Sequence, residues 1–144
     1  MLVQQILKGK ADTGVVTVKP KSSVADAAKI LAEKKIGTVV VSETGKSADG
    51  ILSERDIVRN LAKVESACLT CTVEEFMTSE LVTCTRSEDA DAILKKMTEG
   101  RFRHMPVVEE GELVGIVTIG DVVKARLSEL AMEKDALQGM IMGH

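Results

Sequence analysis

Apolar residues recur every three or four positions along residues 24–35, placing Val24, Ala27, Ala28 and Leu31 on one face. The same spacing returns along residues 88–99 with Ala90, Ile93, Leu94 and Met97. Both stretches predict amphipathic helices, with Gly37 and Gly100 punctuating their ends. Short β-type runs at 15–18 and 81–84 precede them. After each helix come two apolar runs separated by polar residues. Val39-Val-Val pairs with Ile51-Leu across Glu43 to Asp49, and Pro106-Val-Val pairs with Leu113-Val-Gly-Ile-Val across Glu109-Glu-Gly. These read as hairpins, and a closing helix follows each.

The pattern is therefore a repeat. Val16-Thr17-Val18 matches Val82-Thr83-Cys84, and Ile36-Gly-Thr falls on Phe102-Arg-His, at an offset of about 66 residues. Even the preceding helical segments agree, Val3-Gln-Gln-Ile-Leu7 with Val73-Glu-Glu-Phe-Met77. Each unit is β-α-β-β-α, so the chain is an α+β protein of two repeats. The first takes residues 1–65 with an N-terminal helix, and the second takes residues 66–144. Residues 64–72 link them. The last helix continues from Val122 to about Met140. Val123, Leu127, Leu130, Leu137 and Ile141 form a heptad-like stripe on it, which either packs back on its own repeat or meets a partner helix.

The best-matched pieces carry chemistry. Gly50-Ile-Leu-Ser53-Glu-Arg-Asp56 and Gly115-Ile-Val-Thr118-Ile-Gly-Asp121 each run a strand into a hydroxyl, with an aspartate three residues later at a helix start. A carboxylate accepts both hydrogen bonds of a ribose diol. A hydroxyl beside backbone N–H groups at a helix N-terminus holds a phosphate. The plainer reading is a helix capping box. Two copies imply two half-sites for a small nucleotide.

Composition narrows the classes. A net charge of −3 argues against general nucleic-acid binding. Phe76 and Phe102 are the only aromatic residues, so stacking platforms are absent and a bound adenine would be gripped by aliphatic groups and backbone. No apolar run reaches membrane-spanning length. The first eight residues are too short and polar for a signal peptide, which leads to an expectation of a cytoplasmic protein. Cys68-Leu-Thr-Cys71 has metal-site spacing, but a structural zinc wants four ligands and no second pair is present. With Cys84 the count is odd, so the cysteines read as small half-buried residues and no metal is expected.

Taken in order, strand, helix, His104-Met-Pro106-Val and Gly-Ile-Val-Thr-x-x-Asp resemble the CBS domain family, over about residues 3 to 130 and in two tandem copies. Ser53-Glu-Arg-Asp56 and Gly100-Arg-Phe-Arg-His-Met-Pro-Val107 are most similar to small stand-alone CBS-pair proteins. The resemblance implies repeats packed through their sheets with pseudo-twofold symmetry and two clefts between them. It implies an adenosine ligand: AMP first, with NAD(H), ATP, ADP or S-adenosylmethionine as alternatives. It also implies a homodimer of such modules.

On that resemblance, Asp56 and Asp121 take the ribose diols, with Ser53 and Thr118 near the phosphates. Arg103 and His104, leading into Met105 and Pro106, meet phosphate. The guanidinium offers a planar fork of donors, and the imidazole gains charge as a dianion draws its pKa up. The first repeat lacks this cationic pair, so Ile36, Gly37 and Thr38 line an adenine pocket. Val16 and Thr17, and by symmetry Val82 and Thr83, supply backbone groups to the adenine edge. Arg55 stands where the second repeat has Gly120. These differences predict unequal clefts, the one with Asp121, Arg103 and His104 being the stronger phosphate site.

No nucleophile elbow, Walker loop or dinucleotide fingerprint occurs, so an enzyme is not expected. The expected function is a regulatory module sensing adenine nucleotides and acting in trans on an unnamed protein. The alternative is a structural adaptor whose clefts stay unused.

Overall fold

The computed structural model describes residues 1–10, 15–64 and 70–141. Cys68 and His144 lie outside the described residues. The element order is α1 (Val3–Gly9), β1 (Thr17–Val18), α2 (Val24–Lys34), β2 (Thr38–Val41), β3 (Gly50–Ser53) and α3 (Glu54–Val64). It continues with α4 (Val73–Phe76), α5 (Ala90–Gly100), β4 (His104–Glu109), β5 (Glu112–Thr118) and α6 (Ile119–Ile141).

Both amphipathic helices begin on side-chain caps. Ser23 Oγ accepts the Asp26 N–H at 3.1 Å, and Asp89 Oδ1 accepts the Ala92 N–H at 2.8 Å. Their ends differ from the glycine signal in the sequence. Gly37 lies beyond α2 and Gly100 inside α5, while the left-handed positions fall to Lys35 (φ 54°) and Arg101 (φ 56°). The tight closure imposes this. The N–H groups of Ile36 and Phe102 reach back to the carbonyls of Leu31 and Met97.

The first sheet has the order β1-β2-β3, with β1 parallel and β3 antiparallel to β2. The second sheet contains β4 and β5. The strand expected at 81–84 is reduced there to one parallel bridge between Cys84 and Val107. Proline explains the loss. In the first repeat the Val40 N–H donates to the Val16 carbonyl at 3.1 Å. Pro106 holds the position equivalent to Val40 and has no N–H to give Val82. The β4–β5 turn, at Glu110 and Gly111, has positive φ at both residues (51° and 79°), as a tight hairpin requires.

Two apolar cores form, and the chain crosses between them. Val18, Val24, Leu31, Val39 and Leu52 of the first repeat are joined by Val73 and Phe76 of α4. Cys84, Ile93, Met97, Met105 and Val117 of the second are joined by Val3 and Ile6 of α1. A division at residue 65 assigns α1 to the first repeat by sequence, but its buried side chains complete the core of the second.

The crossing accounts for the glycine that opens each repeated motif. A Cβ on Gly115 would lie 2.8 Å from Leu7 Cδ2, and a Cβ on Gly50 would lie 2.5 Å from Met77 Sδ. Leu7 and Met77 are equivalent residues of the two crossing segments. Each needs a strand without a side chain to approach.

Candidate functional site

Both aspartates sit where the sequence placed them, three residues into a helix. Asp56 Oδ2 accepts the Ser53 backbone N–H at 2.9 Å and the Ser53 hydroxyl at 3.0 Å, while Ser53 Oγ accepts the Asp56 N–H at 3.2 Å. Thr118 and Asp121 make the matching pair at 2.9 and 3.1 Å. The plain capping box is therefore present in both copies. It does not exhaust the carboxylate, because one oxygen carries the capping bonds and the other remains as an acceptor.

Fewer backbone donors are available than the motif suggests. The first helical N–H, of Glu54, goes to the Gly37 carbonyl at 3.0 Å; that of Ile119 goes to Arg103 at 2.8 Å. The third is used by the cap. Among the described residues, only the second N–H of the first three, on Arg55 and on Gly120, has no partner in either turn.

Two clefts lie between the repeats. The first, of about 450 Å³, brings Val16, Ile36, Gly37 and Thr38 against His104 and Thr118. Asp121 stands beside it through Thr118 and through Lys10, whose ammonium is 2.8 Å from its carboxylate and 2.9 Å from the Ile116 carbonyl. The second cleft, of about 630 Å³, brings Ser53, Arg55 and Asp56 against Val82, Arg103 and His104, with Gly37 and Thr38 at the shared wall. Each cleft thus joins the capped carboxylate of one repeat to the helix-to-strand turn of the other.

This corrects the expected partnership of Arg103 with Asp121: Arg103 lines the Asp56 cleft. The equivalence of the repeats, followed across the pseudo-twofold axis, requires that exchange. Met105 and Pro106 also fall away from the clefts. Both side chains are buried, and Met105 belongs to the second core. Thr17 and Thr83 do not line a cleft with their side chains. The hydrogen bonds of Val16, Val18 and Cys84 turn towards the neighbouring strand, so alternation leaves the backbone groups of both threonines on an open strand edge.

Sequence reasoning missed Lys10, Arg59 and Arg101. Arg59 was legible, because it follows Arg55 by four residues on one helix face. Lys10 and Arg101 depend on the crossing of α1 and on the left-handed end of α5.

The charges set the titration of the site. Burial, then the cations of Lys10 and Arg103, hold His104 below the usual imidazole range. These surroundings favour the neutral imidazole, opposite in direction to the raised pKa that the sequence reading expected under an anionic ligand. For Asp121, burial pushes the pKa up, but Lys10 and the Thr118 N–H outweigh it and leave the carboxyl below its ordinary value. Burial pushes the Cys84 thiol up to about 12, which makes it an unreactive core residue. Among the described residues, no group of three or more His, Cys, Asp or Glu side chains is arranged to hold a metal ion. Nor is any helix there long and apolar enough to cross a membrane.

With two repeats, two inter-repeat clefts and a capped carboxylate beside each, the architecture is that of a paired-repeat module. The CBS domain profile matches residues 4–63 and 73–128, and the chain belongs to the CBS domain family. It is 33% identical over 141 residues to the mitochondrial CBS domain-containing protein CBSX3 of Arabidopsis thaliana, covering 94% of this chain and 68% of that one. The crystal structure of the CBS-domain protein ATU1752 from Agrobacterium tumefaciens superposes with a TM-score of 0.82 at 44% identity, covering 88% of this chain and 99% of that one. The CBS domain pair of protein MJ0100, in complex with methylthioadenosine and S-adenosyl-L-methionine, superposes at 0.77 with 28% identity, over 90% and 98% of the two chains.

Proposed function

We propose that this protein is a regulatory module that binds an adenosine-containing ligand in the clefts between its repeats and acts in trans on a partner protein, without catalysis of its own. AMP is the first ligand to test, followed by ATP, ADP, NAD(H) and S-adenosylmethionine. One observation carries the reading. Each cleft sets a capped aspartate, with one acceptor oxygen to spare, opposite a Gly–Thr or Arg–His turn and an open strand edge from the other repeat. That arrangement offers acceptors for a ribose diol, backbone groups for an adenine edge and cations for phosphate. The ligands of the MJ0100 pair share its adenosine portion. We place the protein in the cytoplasm as part of the same reading.

Assembly belongs to the proposal too. Helix α6 has 23 residues, yet its buried residues are Val122 and Ala125. Every residue from Ala131 to Gln138 is exposed, so the C-terminal part of the helix does not pack back on its own repeat, while Val122 and Ala125 anchor its start. Leu127 is 63% and Leu137 58% exposed, and Val58 and Val123 hold equivalent exposed positions on α3 and α6. An isolated helical extension is marginal in water, and contiguous exposed apolar surface marks a partner site. A second copy of the chain with twofold symmetry covers it. This surface also favours the second reading, an adaptor dimer with unused clefts.

A thermal-shift series separates the two. At 100 times Kd, a ligand that binds the native state alone adds about 2.7 kcal/mol. A rise in melting temperature with any adenosine ligand supports the sensor; no response at millimolar AMP, ATP, NADH or S-adenosylmethionine supports the adaptor. Native mass spectrometry of the purified protein reads retained nucleotide and oligomeric state together.

A further inference from the structure

The two clefts are built on equivalent positions but not with equivalent charges. Arg55, Arg59, Arg101 and Arg103 all line the cleft of Ser53 and Asp56. Their counterparts across the pseudo-twofold axis are Gly120, Lys124, Lys35 and Gly37. Two of the four guanidiniums thus have no counterpart side chain, and the other two correspond to lysines of the other repeat. None of the four is within ion-pair distance of a carboxylate among the described residues, and all four are exposed at the mouth. Glu54 and Glu80 share that lining, so arginines outnumber carboxylates by four to three once Asp56 is counted. In the other cleft Lys10 is already held by Asp121 at 2.8 Å and by the Ile116 carbonyl.

A guanidinium presents a planar fork that binds phosphate oxygens in pairs, which a lysine ammonium does not. One phosphate has three free oxygens and so three oxygen pairs, one fewer than the four forks. A chain of two or three has enough, and it extends towards a cleft mouth where the cations stand. The larger cleft, about 630 against 450 Å³, has the room.

We propose that the Ser53–Asp56 cleft is a site for nucleotides with two or three phosphates, its four arginines holding the phosphate chain. This rests on the adenosine-binding reading above and adds the class of ligand and the cleft that takes it. The cleft beside Asp121, with Lys10 engaged, does not discriminate by phosphate number.

Calorimetry with adenosine, AMP, ADP and ATP on the full chain tests it, comparing the wild type with Arg55→Gln/Arg103→Gln. Lys29→Gln/Lys95→Gln removes the same charge from exposed helix positions away from both clefts. The wild type is expected to bind ATP and ADP at least tenfold more tightly than adenosine, a difference of about 1.4 kcal/mol or more. The arginine variant loses about tenfold for ATP and less than threefold for adenosine, while the lysine variant stays within threefold for both. Should the arginine variant fold poorly, NMR of the wild type replaces it: ATP shifts the arginine Nε–Hε signals of Arg55 and Arg103, and adenosine does not. Equal affinity for ATP and adenosine, or an ATP preference that survives loss of both arginines, overturns the cleft assignment and leaves the adenosine reading standing. Absence of binding by all four compounds and by S-adenosylmethionine overturns both.

Discussion

Thr38 and His104 occupy equivalent positions of the two repeats and hydrogen-bond to each other, Oγ1 to Nδ1 at 3.1 Å across 66 residues of sequence. Both line both clefts. The pseudo-twofold axis passes between them, so a change at either residue is felt on both sides.

His104 gives the first prediction. Its folded pKa lies below the unfolded value because burial and the cations Lys10, Arg103 and Arg55 disfavour the imidazolium, against a smaller opposite effect of Asp121. In the window below the ordinary value of about 6.5, the unfolded chain binds more protons than the folded one. Stability is therefore complete above that pH and falls as the pH drops through the window. NMR titration should give His104 a midpoint under 6.5, assigned by its absence in His104→Gln. A midpoint above 6.5 in the ligand-free protein contradicts the electrostatics described here.

The second prediction concerns the carboxylates. Asp121→Ala should weaken ribonucleotides more than their 2′-deoxy forms, since hydrogen bonds to a charged group are worth about 1.5–3 kcal/mol. The lost cap should cost about 1 kcal/mol of folding stability besides. Equal loss for both sugars in isothermal titration would leave Asp121 as a helix cap and as the anchor of Lys10, with no part in ribose recognition.

Glycine packing gives the third. Alanine at Gly115 meets the flexible end of Leu7, whereas alanine at Gly50 meets Met77 and also the Thr78 carbonyl at 3.1 Å. Overpacking of this kind costs about 1–3 kcal/mol. Gly115→Ala should fall near the lower end and Gly50→Ala near the upper, measured by urea unfolding. Leu7→Ala should relieve the cost of Gly115→Ala in a double-mutant cycle.

Assembly is tested by Leu127→Asp/Leu130→Asp, expected to give monomers in analytical ultracentrifugation. A wild type that sediments as a monomer at high micromolar concentration removes the role given to α6. A dimer indifferent to the double substitution moves the interface to α3 and its surroundings.

The repeat made much of this fold legible. Period and hairpin signals placed α2, α5, β2 to β5 and both motif aspartates, because those features are local and occur twice. What escaped depends on contacts distant in sequence. Pro106 reads locally as part of a strand, yet its missing N–H removes the pairing of residues 81–83. Arg103 sits beside His104 in sequence, but the turn that carries it faces the carboxylate of the other repeat, so Arg103 lines the Asp56 cleft alone while His104 borders both. Lys10 follows a short polar helix and gives no local sign that its ammonium reaches Asp121.

The exchange of α1 and α4 between the two cores also sets an order of events in synthesis. Val3 and Ile6 leave the ribosome well before Cys84, Ile93 and Val117, on which their burial waits. The core of the first repeat likewise waits for Val73 and Phe76, made only after its own strands are complete. Neither half can close while the chain is short, and contacts so far apart in sequence form slowly. Helix α1 is made before either core yet is among the last elements to be placed, and until then the nascent chain leaves two unfinished apolar surfaces in need of protection.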